Sequence, residues 1–156
     1  MTLKGKTLAA VCAVVVTMGG LAFAGKGAKA MKKDVVQPAA SLKWADGPAK
    51  GVHVAALWGD MSKGGPYGVL IKFDAGLMHP LHSHTQNLKI VVISGTLVHK
   101  PEGGSENQLG PGSYLMQGGG IKHVSGCMAG TECQFFMSSG DKFDMIMAEA
   151  APPAKP

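Results

Sequence analysis

Gly76-Leu77-Met78-His79-Pro80-Leu81-His82-Ser83-His84-Thr85-Gln86-Asn87-Leu88 is the stretch that decides the reading of this chain. His82 and His84 stand at i and i+2, and on an extended strand side chains alternate between faces with a period of two. Both imidazoles therefore project to one side and can share one ion. Imidazole is the commonest protein ligand for transition metals. A third histidine from a later strand would complete a three-nitrogen site with open coordination positions. His123, thirty-nine residues after His84, is the candidate.

Outward from this stretch, short apolar and β-branched runs recur at 52–58, 69–73, 88–93, 97–99, 113–116 and 134–137. Between them lie Gly-Asp, Gly-Gly-Pro, Ala-Gly, Ser-Gly, Pro-Glu-Gly-Gly and Gly-Pro-Gly, all turn formers. No long 3.6-residue periodicity competes beyond the first thirty positions. Many short strands joined by glycine-rich turns predict an all-β sandwich or barrel.

The N-terminus is read apart from the fold. Lys4 and Lys6 lead into an apolar run from Leu8 to Val16 followed by small residues, the pattern of a secretory signal peptide. Cleavage after Ala24 gives a leader of 1–24; Ala28-Lys29-Ala30 offers an alternative end at 30. An uncleaved anchor is the competing reading, interrupted by Gly19-Gly20. Val11 before Cys12 does not suit a lipoprotein signal, so no stable membrane anchor is expected after cleavage. The expected location is periplasmic or secreted. The expected layout is a flexible segment at 25–45, one β domain at 46–147 and a disordered tail at 148–156.

The charge balance narrows the partners. All 15 basic residues are lysines, against 10 acidic ones. Removing Lys4 and Lys6 with the leader leaves 13 against 10, and the alternative cleavage leaves 11 against 10. A nearly neutral chain with scattered lysines and no arginine lacks the bidentate phosphate contacts of a nucleic-acid binder. Nucleic acid is excluded as a partner on this reading.

The spacing around the histidines resembles that of the cupins. Their first motif is glycine, five residues, His-x-His, three or four residues, glutamate, six residues, glycine; Gly76, His82, His84 and Gly95 match it. Leu88 stands where the glutamate is usual, with Lys89 in the alternative register. The second motif falls on Gly112, Gly120 and His123, with Gly118 in place of the usual proline and Cys127 in place of the usual asparagine. A closer resemblance is to a family of bacterial exported single-domain cupins with no agreed activity. It is carried by Leu57-Trp58-Gly59-Asp60, Gly65-Pro66, Pro80-Leu81-His82, Val92-Ile93-Ser94-Gly95 and Gly110-Pro111-Gly112-Ser113-Tyr114, and spans roughly residues 52–143.

The resemblance implies a cupin-type jelly-roll β-barrel in which His82, His84 and His123 converge inside the mouth on a divalent transition metal: Zn, Fe, Ni, Mn or Cu. With Leu88 in place of the carboxylate, the ion's charge is left to an anionic ligand, a bound hydroxide, or an extra donor such as Gln86 or His79. Against this stands a plainer reading, with His82 and His84 at a strand edge and His123 a satisfied core residue.

Several other residues carry expectations. His79, in extended backbone before Pro80, belongs close to the site. His99 reads first as a surface imidazole at a strand end, with an inward position as the alternative, and His53 as structural or exposed. Lys89 is assigned no role beyond its position beside the altered ligand. Cys127 and Cys133 flank Ala129-Gly130-Thr131, which reads as a hairpin tip, so a disulfide is expected, with soft metal ligation as the rival. The methionines read as core filler. Trp58 and Tyr114 are candidates for the pocket mouth or the core.

Three functional classes stay open. The first is a metal-dependent enzyme of the oxygenase or isomerase type acting on a small organic molecule; the second is a non-catalytic metal- or ligand-binding module of the cell envelope. The third is a barrel with a decayed site serving assembly or sensing. A homodimer through open sheet edges is also left open.

Overall fold

The computed structural model describes residues 33–149; the expected leader and most of the expected C-terminal tail lie outside the described residues. A single 3₁₀ turn spans Ala39–Ser41, and the elements that follow are strands: β1 Trp44–Asp46, β2 Val52–Trp58, β3 Tyr67–Phe73, β4 Met78–Ser83, β5 Leu88–Ser94, β6 Leu97–Pro101, β7 Asn107–Leu109, β8 Tyr114–Gln117, β9 His123–Cys127, β10 Cys133–Ser139 and β11 Ile146–Met147. They form two antiparallel sheets, one in the order β1-β2-β3-β10-β5-β8 and the other β11-β4-β9-β6-β7. This is the all-β jelly roll expected from the sequence.

Alternation builds the core. In β5, Leu88, Ile90 and Val92 are buried while Lys89, Val91 and Ile93 face out. Strand β10 presents Phe135 and Met137 to the same interior, and β3 presents Val69, Ile71 and Phe73. Each such side chain removed from water stabilises the fold by roughly 1.5–3 kcal/mol. The chain turns on glycines where no other residue fits. Gly95, between β5 and β6, has φ 74°, and a Cβ there would lie 2.5 Å from the Glu132 carbonyl oxygen.

Three features differ from the sequence reading. Strand β1 begins at Trp44, inside the segment read as flexible, because Trp44, Ala45 and Asp46 pair with Ala55, Val54 and His53. Trp58 and Tyr114 are 51% and 59% exposed, so they lie in neither the pocket nor the core. Their strands turn these positions outward. The Cys127–Cys133 disulfide is present, with Cα atoms 5.7 Å apart. It does not close a two-stranded hairpin: β9 belongs to the five-stranded sheet and β10 to the six-stranded one, so the bridge ties the two sheets together where the chain crosses between them.

Candidate metal centre

Strand β4 carries most of the site, and a bulge sets its phase. Met78 and His79 pair with Gly126 and Ser125, but His82 pairs with His123, so the register shifts by one between His79 and His82. Strict alternation would put His79 and His82 on opposite faces. The bulge at Pro80-Leu81, where proline contributes no N–H to the ladder, turns both inward. His84 follows two residues later with the same parity. His79, His82 and His84 are all buried.

Strand β9 delivers the third ligand candidate at its first residue. His123 is the Cα partner of His82 and is completely buried. The His82 and His123 rings have centroids 4.3 Å apart, His82 and His84 5.0 Å, and His84 and His123 5.4 Å. Among the described residues these three form a donor group whose ligand atoms all lie within 4.8 Å of one another. The loop before β9 is held against the His84 segment. The Gly120 amide donates to the His84 carbonyl at 2.8 Å, and the Gly119 amide to Asn87 Oδ1 at 2.7 Å. A side chain on Gly119 would collide with the Thr85 carbonyl.

Backbone carbonyls fix the ring tautomers. Nδ1 of His82 faces the Pro80 oxygen at 2.7 Å, Nδ1 of His123 the Ile121 oxygen at 3.0 Å, and Nδ1 of His84 the Asp144 oxygen. A carbonyl can only accept, so each Nδ1 carries a proton, and in the neutral form of the ring the lone pair is left on Nε2. Burial holds the His123 ring down to about 4 from its usual 6.5, with the other imidazoles adding to the effect. Burial likewise lowers His84, against the opposing pull of the Asp144 carbonyl. A buried neutral imidazole is the form that ligates metal.

The remaining sequence candidates divide. His79 is close by, its ring 5.8 Å from that of His82 and edge-on to Phe73 at 5.1 Å. Gln86 and Lys89 are elsewhere: both border a surface groove with Thr85 and Asn87, and Lys89 is exposed. The outward phase of β5 at Lys89 places it there. His53 lies on β2 between the Asp46 and Asp74 carboxylates at 3.3 and 3.4 Å. His99 corrects its first reading as a surface residue. Antiparallel pairing of β6 with β9 turns it inward opposite Ser125, where it is buried with its ring 5.1 Å from that of His123.

Sequence reasoning missed Gln117. It is the Cα partner of Leu88 in the β5–β8 ladder, is buried, and its Nε2 has no hydrogen-bond partner. Its signal was a polar residue ending an apolar strand in phase with Leu115. Leu88 and Gln117 line the same cavity as His82, His84, His79, His99 and Ser125, with apolar walls from Ile71, Phe73, Ile90, Leu97, Phe135 and Met137. Among the described residues, no carboxylate lines it. The cavity volume is about 60 Å³, room for about five water-sized groups.

The residues fit a divalent transition ion. The Nε2 atom of His123 is buried and has no hydrogen-bond partner, a costly condition that a coordinate bond would relieve. Three neutral imidazole nitrogens suit Zn, Fe, Ni or Cu rather than the oxygen-seeking Mg or Ca.

Similarity to known proteins agrees with this architecture. The chain resembles the polyketide cyclase RemF from Streptomyces resistomycificus, with TM-score 0.62 at 18% identity over 78% of this chain and 88% of that one. An RmlC-like cupin from Ralstonia eutropha JMP134 gives TM-score 0.59 at 17% identity over 74% and 78%. The DMSP lyase DddQ from Ruegeria pomeroyi DSS-3 gives 0.57 at 15% identity over 72% and 64%. At these identities the likeness establishes the fold. No curated protein matches the sequence. The ChrR cupin-like domain profile matches residues 32–142, most of the chain, and with two antiparallel sheets closing over three inward histidines this protein belongs to the ChrR cupin-like domain family.

Proposed function

We propose that this cupin is exported, holds one divalent transition metal through Nε2 of His82, His84 and His123, and uses it on a small organic anion as an enzyme of the oxygenase or isomerase type. The observation that carries the reading is the set of three carbonyl-anchored imidazoles beside a small apolar cavity. When bound, the ion supplies a Lewis acid for a ligand oxygen or water. The chain's own residues orient the three nitrogens, exclude bulk water with Ile90, Leu97 and Phe135, and leave the ion's charge uncancelled because Leu88 replaces a carboxylate. An anionic partner is therefore favoured over a neutral one. Two of the structural neighbours are named as enzymes, a cyclase and a lyase, which supports catalytic use of the fold while leaving the substrate to this chain's own residues.

A second reading, a binding or sensing module of the envelope, draws support from the absence of any carboxylate along the cavity among the described residues. Elemental analysis of protein recovered from the periplasm tests the metal reading, with one ion per chain expected in the wild type and none in the His82→Ala/His123→Ala variant. Equally negligible metal in both would sink it. Oxygen uptake or isomerisation by the loaded protein separates enzyme from module. Mass spectrometry of the N-terminus tests export, with a mature chain starting at residue 25 or 31 expected and an intact Met1 in the cytosol refuting it.

A further inference from the structure

Two rows of side chains cross the inner face of the five-stranded sheet. In one, His82 of β4 stands beside His123 of β9; in the next, Ser125 of β9 is the Cα partner of both His79 on β4 and His99 on β6. Cross-strand partners point the same way, so this second row is a continuous polar strip. His79, Ser125 and His99 all line the cavity. His79 and His99 are 6% and 7% exposed, yet His79 Nε2 and His99 Nδ1 are enclosed with no hydrogen-bond partner. The metal reading does not use these atoms.

Buried polar atoms are almost always paired, and each exception calls for an explanation. Two exceptions in one row, facing one cavity, have a common explanation in a polar group that enters it. The strip is adjacent to the ion's position: the His79 ring lies 5.8 Å from that of His82, and the His99 ring 5.1 Å from that of His123. Gln117, on the other sheet, adds an unpartnered Nε2 to the same cavity. Among the described residues, neither a lysine nor a carboxylate lines it. The group that enters is thus an uncharged hydrogen-bonding oxygen, and the small volume limits its carrier to a short chain.

We infer that His79, Ser125 and His99 form a recognition subsite for the hydroxyl or carbonyl oxygen of a compact organic anion whose charged end sits at the three-histidine centre. This rests on the metal reading above and adds to it the second determinant of the ligand. A neutral imidazole offers a donor on one nitrogen and an acceptor on the other. The row can therefore receive a hydroxyl from either side, while a methyl group in the same place leaves both rings unmet.

Cobalt-loaded protein titrated with 3-hydroxypropionate and with butyrate tests the inference, because the two probes have the same number of heavy atoms and differ by hydroxyl for methyl. The visible bands of the ion report binding. Wild type is expected to hold one cobalt per chain and to bind 3-hydroxypropionate about tenfold more tightly than butyrate, the effect of one well-made hydrogen bond in a dry site. Ser125→Ala and His99→Phe are expected to keep the cobalt and lose the preference; retained cobalt also reports that each variant is folded. Cobalt uptake with no preference in wild type overturns the subsite alone. A preference surviving in both variants does so too, since the hydroxyl is then bound by the ion. Wild type that takes up no cobalt overturns the metal reading and this inference with it.

Discussion

Replacing Leu88 with glutamate should lower the stability of the metal-free protein while enlarging the stabilisation that zinc confers on it. Leu88 is 2% exposed, packs in the core, and shares the cavity with His82 and His84. In the metal-free state Leu88→Glu forfeits about 2 kcal/mol of apolar burial. It also buries a carboxyl group, which stays protonated at a further cost of about 1–3 kcal/mol. For residues 33–149 the entropy of unfolding is about 0.25 kcal/mol/K, so a loss of about 3–5 kcal/mol lowers Tm by roughly 12–20 °C. With zinc bound, the carboxylate cancels part of the ion's charge and occupies a coordination position, so affinity should rise at least about tenfold, or about 1.4 kcal/mol. Because a ligand of the native state stabilises it in proportion to the logarithm of its affinity, the zinc-induced rise in Tm should be larger in the variant than in wild type. Scanning calorimetry of both forms, with a competitive chelator titration for Kd, measures each effect separately. A folded Leu88→Glu protein with wild-type or weaker zinc affinity would refute the reasoning, for it would mean that residue 88 is not directed at the open side of the ion.

Three further outcomes are expected. Converting both Cys127 and Cys133 to alanine opens a loop of sequence separation 6, which should cost about 2 kcal/mol, or roughly 8 °C in Tm; native protein should show no reactive thiol from this pair, and unchanged stability in the double variant would contradict a bridge between the sheets. Burial pushes the Tyr67 phenol from 10 up to about 12, so the native state holds its proton where the unfolded chain has lost it. Stability should therefore fall as pH rises from 10 to 12, by about 3 kcal/mol, and denaturant midpoints for Tyr67→Phe should lose that alkaline decline. Asp144 holds the Thr85 amide and hydroxyl with its carboxylate and the His84 ring with its backbone carbonyl, so Asp144→Ala, which keeps the carbonyl but unties the segment that carries it from Thr85, should loosen His84 and weaken zinc binding about tenfold with the metal stoichiometry unchanged; full affinity in that variant would remove the Asp144 carboxylate from the support of the site.

Much of the architecture was legible because burial writes itself into alternation. The runs at 52–58 and 88–93 became β2 and β5 with small changes of boundary, and the period-two argument put His82 and His84 on one face as found. What stayed hidden depended on pairing between distant strands. The inward position of His99 follows from β6 lying against β9, a contact across about twenty-five residues that no local pattern encodes. In the sequence Gln117 is a polar residue just beyond the apolar run at 113–116, and its place opposite Leu88 follows only from the pairing of β8 with β5. His79 is expected near the site from its extended backbone before Pro80, but what turns it inward is a register shift that breaks the very alternation by which a sequence is read. The cysteines were paired correctly and their topology was not, since seven residues can turn back into one sheet or cross to another and the local sequence is the same for both.

The replaced ligand and the extra imidazoles have a common physical sense. A carboxyl group at position 88 would have to be buried and held protonated whenever the site lacked its ion, a state that costs stability. Leu88 removes that penalty and adds to the core. His79, His99 and Gln117 bring polarity back in uncharged form, at positions beside the ion rather than on it. The metal-free interior is then close to electrically silent: burial keeps His79, His84, His99 and His123 below their ordinary proton affinity. Entry of a divalent ion places two uncancelled charges in an apolar cavity, and the strongest remaining electrostatic demand is for an anion small enough to follow it in. On the function proposed for this chain, the missing ligand is itself the determinant of specificity: the arrangement would select a charged head for the ion and an uncharged oxygen for the row beside it.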